Sequence, residues 1–269
     1  MNYTLGFIGT GNMGGALVRA AAKAVAGDEI YLSNRTMEKA ERLATELGCK
    51  AVTVEEAAKC GYVFLGVKPQ MMGDLLAQIA PILESRQDGF VLVSMAAGIT
   101  MADIQKMAGG NYPVIRIMPN TPVAVGSGVI LYDATENVPA EVLAQFCKNM
   151  QFAGLMDHLP EALMDAGTAV AGCGPAFAEL FMEALEDGGV RCGLPREKAG
   201  IYARQMVLGS AQLALESDKP LKQLRQEVCS PGGSTIEGVR SLEKDDLRAA
   251  VIRAVQASFH RNQELGKTT

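Results

Sequence analysis

The chain has 269 residues, of which 48% are hydrophobic and 20% charged, and its formal net charge is −5. So large an apolar fraction excludes a disordered chain, and the length allows one large domain or two smaller ones. No block or stripe of Lys and Arg appears, which argues against a nucleic acid as the main partner.

Cysteine, histidine and apolar residues narrow the class of protein further. The six cysteines are scattered without a CxxC pair, which indicates a reducing compartment and predicts a cytoplasmic protein. His158 and His260 lie far apart, so we expect neither a His-based metal site nor a Ser/His/Asp triad. We expect no signal peptide before the first strand, and the apolar stretch Leu163 to Leu185 carries too many breaks for a membrane span.

The first predicted elements are a strand, a glycine loop and a helix, in the segment TLGFIGTGNMGGALV. Gly9, Gly11 and Gly14 have the GxGxxG spacing, which alone is a weak signal and could mark a plain Gly-rich turn. Its place between a strand and a helix favours dinucleotide binding, because the glycines allow a tight turn, close approach of a pyrophosphate and close helix packing.

The second predicted strand, EIYLSNR, ends where an adenosine ribose would lie. An NAD site usually has Asp or Glu there, whereas this chain has Ser33, Asn34 and Arg35. A hydroxyl, an amide and a guanidinium suit a 2′-phosphate, so we predict NADPH as the cofactor, with NADH possible. The alternative is that Arg35 is a solvated loop residue.

Strands and helices then alternate, which predicts a doubly wound, mainly parallel sheet of Rossmann type with helices on both faces. The strand-end segments VKPQ, SMAAGIT and MPNTP should lie beside the glycine loop at one cleft. There the small residues at 96–98 would admit a flat nicotinamide, and Asn120 and Thr121 would give it polar partners. Lys68 is either a charge in this cleft or a solvated lysine.

A last strand pair, near 128–132 and 151–156, precedes a half that contains only predicted helices. We therefore place the domain boundary near residue 158, with a dinucleotide-binding domain over 1–158 and a helical domain over 159–269. A helical module of this size with so much apolar surface often pairs with a second copy. Pro175, inside the run AGCGPAFAELF, predicts either a packing kink or a bend that lets the helical domain cover the cleft.

The segment VCSPGGSTIEGVRSLE interrupts the helical pattern with Pro231, Gly232 and Gly233, and then Ser234 and Thr235 restart it. One interpretation is a structural turn in which a hydroxyl caps the helix. The other is an anion site, because the first N–H groups of a helix have no partner within it.

Eight motifs in this order resemble the pyrroline-5-carboxylate reductase family: FIGTGNMGGA, SNR, GVKPQ, SMAAGIT, IRIMPNTP, AGCGPAF, DGGVRCGLPREKA and VCSPGGSTIEGVRSLE. The resemblance extends from Leu5 to about Leu265. It implies a helical dimerisation domain, dimers that often assemble into decamers, and substrate binding at Ser234 and Thr235. Val54 departs from the family, because many relatives have an Asn there that touches the cofactor ribose. The cofactor-binding positions expected from the glycine motif and from the resemblance are Ile8, Gly9, Thr10, Gly11, Asn12, Met13, Gly14, Ser33, Asn34, Arg35, Val67, Lys68, Pro69, Ala96, Ala97 and Gly98.

The substrate that the resemblance implies is a five-membered cyclic imine with a carboxylate, whose reduction gives proline. The N–H groups of Gly233, Ser234 and Thr235 would bind the carboxylate, Asn120 would lie beside the substrate, and the Thr235 hydroxyl would orient the ring nitrogen. Hydride from NADPH would then reach the imine carbon without a strong acid.

Two other classes of protein remain as alternatives. A β-hydroxyacid dehydrogenase shares the architecture, but enzymes of that class have a glycine-rich helix followed by a Lys that acts as general acid. Here no Lys occurs between Pro175 and Arg191. A non-catalytic NADP sensor would need only the Rossmann domain, and the second anion-type turn at 231–235 argues against it.

Overall fold

The computed structural model describes residues 3–267 of the chain. In that part, eight strands form one sheet. Their bounds are β1 (Leu5–Ile8), β2 (Ile30–Ser33), β3 (Lys50–Ala51), β4 (Tyr62–Leu65), β5 (Val91–Ser94), β6 (Val114–Pro119), β7 (Gly128–Ala134) and β8 (Gly154–His158). Every residue of β1, β4 and β5 is buried, as in parallel strands with helices on both faces.

The strand order is β3-β2-β1-β4-β5-β6-β7-β8, and all neighbouring pairs are parallel except β6 and β7. This order confirms the predicted doubly wound, mainly parallel sheet. The strand order reverses between the parallel strands β1 and β4, so a ligand in such folds binds at the carboxyl ends of these two strands. The antiparallel β6–β7 pair and the two-residue β3 are features that the sequence pattern did not predict.

The helices that flank the sheet fill one core on each of its faces. Aromatic rings are central to the first core, where Phe7 and Phe64 stack at 4.1 Å between ring centres. Tyr62 is fully buried there and donates its hydroxyl to the Val142 carbonyl at 2.8 Å. The helix bounds are α1 (Asn12–Ala21), α2 (Met37–Leu47), α3 (Val54–Ala57), α4 (Met72–Ser85), α5 (Met101–Ala108), α6 (Ala140–Met150) and α7 (Met164–Gly167).

The rest of the described chain is helical, as predicted. Its helices are α8 (Gly174–Arg191), α9 (Arg196–Glu216), α10 (Leu221–Val228), α11 (Ser234–Lys244) and α12 (Leu247–Lys267). Pro175 is the second residue of α8 and follows a π-helical turn at Thr168–Gly172 within the same helical run. A proline and a π-helical turn are both common sites of a helix kink, and the kink or bend expected at Pro175 stays a prediction.

The chain divides into two compact units. The first contains Met1–Cys173 together with Ser258–Thr269, and the second is Gly174–Ala257. His158, at the predicted domain boundary, is the last residue of β8. That boundary stays a prediction. The division between the two compact units lies after Cys173.

The second unit buries few of its own residues. No residue of α8, α10 or α11 is buried, and α9 buries only Ala199, Gly200 and Ala203. Large apolar side chains are instead exposed on this unit, among them Leu180, Ile201, Leu208, Leu213 and Ile252. A helical unit with so little core of its own needs a further apolar surface to cover it.

Two further findings concern the whole described chain. Within residues 3–267, no helix combines the length and the apolar character needed to cross a membrane. The six cysteines, all in this part, are free thiols.

Candidate active site

The glycine loop connects β1 to α1 through backbone geometry that side chains would obstruct. Gly9 has φ +104°, and a Cβ there would meet the carbonyl of Gly66 after β4. Gly14 packs against the Gly9 carbonyl, so it too has no room for a Cβ. The first and third glycines of the motif are thus required by the fold itself.

Gly11 differs, because a Cβ at this position would meet nothing within 4 Å. It is the N-cap of α1, no side chain caps this helix, and its first turn contains no acidic residue. The first N–H groups of α1 therefore face open space, where the helix dipole favours an anion. This arrangement fits a dinucleotide pyrophosphate and requires a residue without a side chain at Gly11.

Two buried hydroxyls beside this loop have no hydrogen-bond partner in the described structure. They are Thr10 Oγ1, whose residue is 8% exposed, and Ser33 Oγ, whose residue is 1% exposed. An unpartnered buried hydroxyl is costly, and a bound ligand is one way to satisfy it. Thr10 borders a pocket, although its Oγ1, like that of Ser33, is closed off from solvent.

The side-chain amide of Asn34 connects the glycine loop to the turn between β2 and α2. Its Oδ1 accepts the backbone N–H of Thr10 at 3.2 Å, and its Nδ2 donates to the Thr36 carbonyl at 3.0 Å. Asn34 therefore fixes the relative position of the two segments between which a nucleotide would lie. Its direct contact with the cofactor stays a prediction.

A cleft of about 610 Å³ opens at the carboxyl ends of β1, β2 and β4. The predicted residues that line it are Ile8, Gly9, Gly11, Asn34, Arg35, Val67 and Lys68. Arg35 is exposed and forms no ion pair within residues 3–267, so its guanidinium is available to a ligand. Sequence reasoning missed Thr36, Lys39, Met71, Asp74, Leu75 and Gln78 as lining residues. The signal that could have found Lys39 is its place in the first turn of the helix that follows Arg35.

The other predicted positions near the glycine loop lie outside this cleft. Thr10 and Asn12 line a neighbouring pocket of about 300 Å³ between α1 and α2. Met13 packs against the core, and Pro69 begins a short 3-10 helix. These positions stay predictions as cofactor contacts.

The β5–α5 loop, residues 95–100, contains Ala96, Ala97 and Gly98. Ala96 is buried, and Gly98 has φ +76° with the backbone of Leu265 in α12 beside it, 2.9 Å from where a Cβ would lie. The loop ends at Thr100, whose hydroxyl bonds to Asp103 in a capping box and lowers the pKa of that carboxyl. The loop is thus held at both ends by backbone packing and by a cap.

Asn120 is 7% exposed and its amide is used within the fold. Oδ1 accepts the Val129 N–H at 2.8 Å, and Nδ2 donates to the Ala171 carbonyl at 2.9 Å. These bonds connect β7 and the π-helical turn to the end of β6. The predicted substrate contact of Asn120 would depend on the second Nδ2 hydrogen, and it stays a prediction.

In the second unit, the Pro-Gly-Gly turn leads directly into α11. Gly233 is the N-cap with no side-chain cap bond, and its own N–H donates to the Ser230 carbonyl at 3.1 Å. The expectation that the Gly233 N–H is a free donor is therefore wrong in this structure. Ser234 and Thr235 are exposed, and within residues 3–267 neither their hydroxyls nor their N–H groups have a partner.

This geometry bears on the two interpretations of the turn. Neither hydroxyl caps the helix, since Ser234 and Thr235 are already its first two residues. Glu237 in the first turn is paired with Arg240 at 2.7 Å, which offsets its charge. Two free N–H groups and two free hydroxyls at the positive end of an 11-residue helix are suited to a carboxylate.

Comparisons with known proteins agree with these features. A family described as "NADP oxidoreductase coenzyme F420-dependent" matches residues 4–98, and one described as "Pyrroline-5-carboxylate reductase dimerisation" matches residues 161–265. The chain is 39% identical to the pyrroline-5-carboxylate reductase of Synechocystis over 271 residues, which cover 99% of this chain and 100% of the relative.

Solved structures give the same result over nearly the full length. A Plasmodium falciparum pyrroline carboxylate reductase with NADP bound has a TM-score of 0.88 and 32% identity, covering 98% of each chain. A pyrroline-5-carboxylate reductase from Coxiella burnetii has a TM-score of 0.90 and 32% identity, covering 98% of this chain and 99% of that one.

Proposed function

The chain belongs to the pyrroline-5-carboxylate reductase family, and on that premise we propose that the start of α11 binds the substrate of its reaction. The reaction reduces the C=N bond of 1-pyrroline-5-carboxylate with a pyridine nucleotide and gives L-proline. The observation that carries the proposal is the free helix start at Ser234 and Thr235, which offers both N–H and hydroxyl donors.

Ser234 and Thr235 would divide the recognition of the substrate between its carboxylate and its ring nitrogen. The N–H groups of both residues donate to the carboxylate, with Gly233 as the N-cap that leaves the helix end uncovered. The Thr235 hydroxyl bonds to the ring nitrogen and so orients the C=N carbon. Asn120 is proposed as a further substrate contact through its second amide hydrogen.

The reaction requires little acid or base catalysis from the side chains. A protonated imine is already electrophilic, so the residues need to position the ring and exclude water rather than supply a strong acid. The nicotinamide, when bound, supplies the hydride to the imine carbon, and the nitrogen keeps its proton as the product amine. Thr235 is therefore proposed as the catalytic residue.

The cofactor is proposed to be NADPH in preference to NADH. The end of β2 carries Ser33 rather than a carboxylate, and the exposed Arg35 lines the cleft beyond it. An acidic residue there would accept from a ribose hydroxyl, whereas a guanidinium forms charge-assisted bonds to a phosphate. The residues of the glycine loop, the β4 end and the β5–α5 loop are proposed to bind the rest of the dinucleotide.

We propose that the homo-oligomer is built through the second unit, which lies within residues 161–265 that match the dimerisation family. The exposed apolar side chains of α8, α9 and α12 support a dimer that covers them. Further assembly of dimers into a decamer, the domain division at residue 158 and a cytoplasmic location are also proposed.

The test of the proposed function is oxidation of NADPH, followed at 340 nm, with 1-pyrroline-5-carboxylate and in parallel with NADH. We expect rapid formation of proline. At low cofactor concentration, the rate should be higher with NADPH than with NADH. Faster turnover with NADH would reject the NADPH preference alone. Folded protein that binds NADPH but reduces no imine would reject the proposed substrate site, and turnover of a 3-hydroxyacid would favour the dehydrogenase alternative.

A further inference from the structure

We propose that Glu161 is a positioning residue for the β5–α5 loop, and that its carboxylate holds this loop where the nicotinamide half of the cofactor binds. The inference rests on the proposed cofactor contact of Ala96, Ala97 and Gly98, and it concerns a residue that none of the eight sequence motifs contains. Glu161 begins a short 3-10 helix after β8, 60 residues along the chain from its contact at the end of the loop.

The strand order assigns the β5–α5 loop to the nicotinamide half of a dinucleotide. The glycine loop, suited to the pyrophosphate, follows β1, and the turn suited to the adenosine ribose follows β2. The parallel strands β4 and β5 lie on the other side of β1. The loop after β5 therefore opens at the same edge as the glycine loop, two strand spacings or about 10 Å from it, on the side away from the adenosine.

Two contacts from distant parts of the chain fix the course of this loop. In its middle, Gly98 lies against the backbone of Leu265, near the end of α12. At its end, the Met101 N–H donates to Glu161 Oε1 at 2.8 Å. Met101 is the first residue of α5, so its N–H has no acceptor within the helix and depends on Glu161. A carboxylate at this helix start also interacts favourably with the helix dipole.

Glu161 is itself fixed to the sheet from two sides. Its Oε1 also accepts Arg116 Nη1, from β6, at 2.9 Å, and Arg116 is 4% exposed. The Glu161 N–H donates to Asp133 Oδ2, from β7, at 2.6 Å. Arg116 and Asp133 are directly opposite each other in the β6–β7 pair, so both bonds start from one place in the sheet. A side chain held in this way can position the loop before the cofactor binds.

The two contacts on the loop are also connected to each other. Asn262, in the part of α12 that lies against Gly98, donates to the Asp165 carbonyl at 3.1 Å. Asp165 lies in α7, four residues after Glu161. The short segment from Glu161 to Asp165 therefore contacts the end of the loop and also holds the helix that lies against its middle.

The experiment measures dissociation constants of NADPH, NADH and adenosine 2′,5′-bisphosphate by fluorescence or calorimetric titration. The bisphosphate contains the adenosine end alone and does not reach the loop. We expect Glu161→Ala to weaken NADPH and NADH alike, by about 10-fold or more, and the bisphosphate by less than about twofold. Glu161→Gln keeps an oxygen that can accept the Met101 N–H, so it should recover most of the cofactor affinity although it lacks the negative charge.

Tyr62→Phe is the control for a loss of stability alone. It removes the bond of the buried Tyr62 hydroxyl to the Val142 carbonyl, from the first residue of β4, at the opposite end of that strand from the ligand edge. The melting temperature should fall, and all three ligands should bind as they do to the wild type.

Asp133→Ala replaces Glu161→Ala if that variant does not fold. It removes the acceptor of the Glu161 N–H and leaves the Glu161 carboxylate paired with Arg116. The position of the carboxylate is then less well fixed, so we expect NADPH and NADH to weaken by about threefold while the bisphosphate is unchanged.

Three results would overturn the inference. Unchanged affinity for both cofactors in the variant that folds would mean that the loop does not depend on Glu161. Equal weakening of the bisphosphate and the cofactors would give Glu161 a role in stability only. Wild-type protein that binds NADPH no more tightly than the bisphosphate would reject the proposed cofactor contact of the loop. Failure of the proposed substrate site would leave these titrations unchanged, because they contain no imine.

Discussion

The side-chain oxygen of Asn34 lies 3.2 Å from the backbone nitrogen of Thr10 and accepts its hydrogen bond, across 24 residues of chain. The same amide donates to the Thr36 carbonyl. One side chain thus sets the distance between the loop suited to the pyrophosphate and the turn suited to the adenosine ribose. Asn34 acts on cofactor binding through the backbone on both sides of it.

Replacement of Asn34 by Ala should therefore weaken both cofactors together. Two hydrogen bonds of about 1 kcal/mol each are lost, so we expect the dissociation constants of NADPH and NADH to rise by a similar factor, about 5- to 30-fold. Titration of both cofactors measures the effect. A loss confined to NADPH would mean that the amide contacts the 2′-phosphate directly.

Substitutions at two glycines of the motif should have different effects, one on cofactor binding and the other on the stability of the fold. Gly11→Ala places a methyl group in open space at an ordinary φ of −69°, so the melting temperature should change little while NADPH affinity falls by at least about 10-fold. Gly14→Ala drives a methyl group into the Gly9 carbonyl and should cost about 1–3 kcal/mol of unfolding free energy. Circular dichroism melts and NADPH titrations check the pair, and equal melting temperatures with equal affinities would contradict both expectations.

Thr235→Ala should lower kcat/KM for the imine by about 10- to 100-fold, since a positioning hydrogen bond to a charged group contributes about 1.5–3 kcal/mol. NADPH affinity should stay the same, because the hydrogen bond proposed for the Thr235 hydroxyl is to the substrate and not to the cofactor. Thr235→Ser keeps the hydroxyl and is the matched control. Unchanged kinetics in Thr235→Ala would remove Thr235 from the mechanism.

Glu161 should be important for stability. Its Oε1 accepts both the Met101 N–H at 2.8 Å and Arg116 Nη1 at 2.9 Å, and Arg116 is 4% exposed. Glu161→Gln removes the carboxylate that is bonded to the buried guanidinium and should destabilise the fold by about 3 kcal/mol. Urea unfolding measures the loss.

Glu46→Gln provides the comparison for that measurement. It breaks the exposed ion pair with Arg19 and should leave the unfolding midpoint within experimental error, because such pairs are screened by water. If both variants shift the midpoint equally, burial does not explain the importance of Glu161.

Exposed leucines of equal accessibility should differ in their effect on assembly. Leu208 in α9 and Leu155 in β8 are both 60% exposed. Leu208→Glu should dissociate the dimer in sedimentation velocity, because it places a charge on the apolar face of the second unit. Leu155→Glu should leave the dimer intact, and dissociation by Leu155→Glu alone would place the dimer interface on the first unit.

Much of the fold was predictable because local patterns specify it. Buried apolar runs alternating with amphipathic helices predicted the parallel sheet, and Gly9, Gly11 and Gly14 marked its ligand edge. The antiparallel direction of β7 was missed, because a strand pattern is the same in either direction.

The candidate site was less predictable, since its key contacts join distant segments. Residue type suggested that Asn34 and Asn120 face ligands, whereas their amides bond to backbone 24 and 51 residues away. The Gly233 N–H bond to Ser230 depends on the shape of one turn. Arg35 and the free helix start at Ser234 could be recognised because both depend on short-range geometry alone.

The contact between Gly98 and Leu265 also constrains how the enzyme is made. The first compact unit includes the end of α12, where Asn262 donates to the Asp165 carbonyl at 3.1 Å and Leu265 lies against the β5–α5 loop. A ribosome adds these residues only after the whole of the second unit has been synthesised. We expect a nascent chain that stops at residue 173 to lack a fully packed β5–α5 loop, so packing of the dinucleotide-binding unit is completed only after synthesis of the second unit.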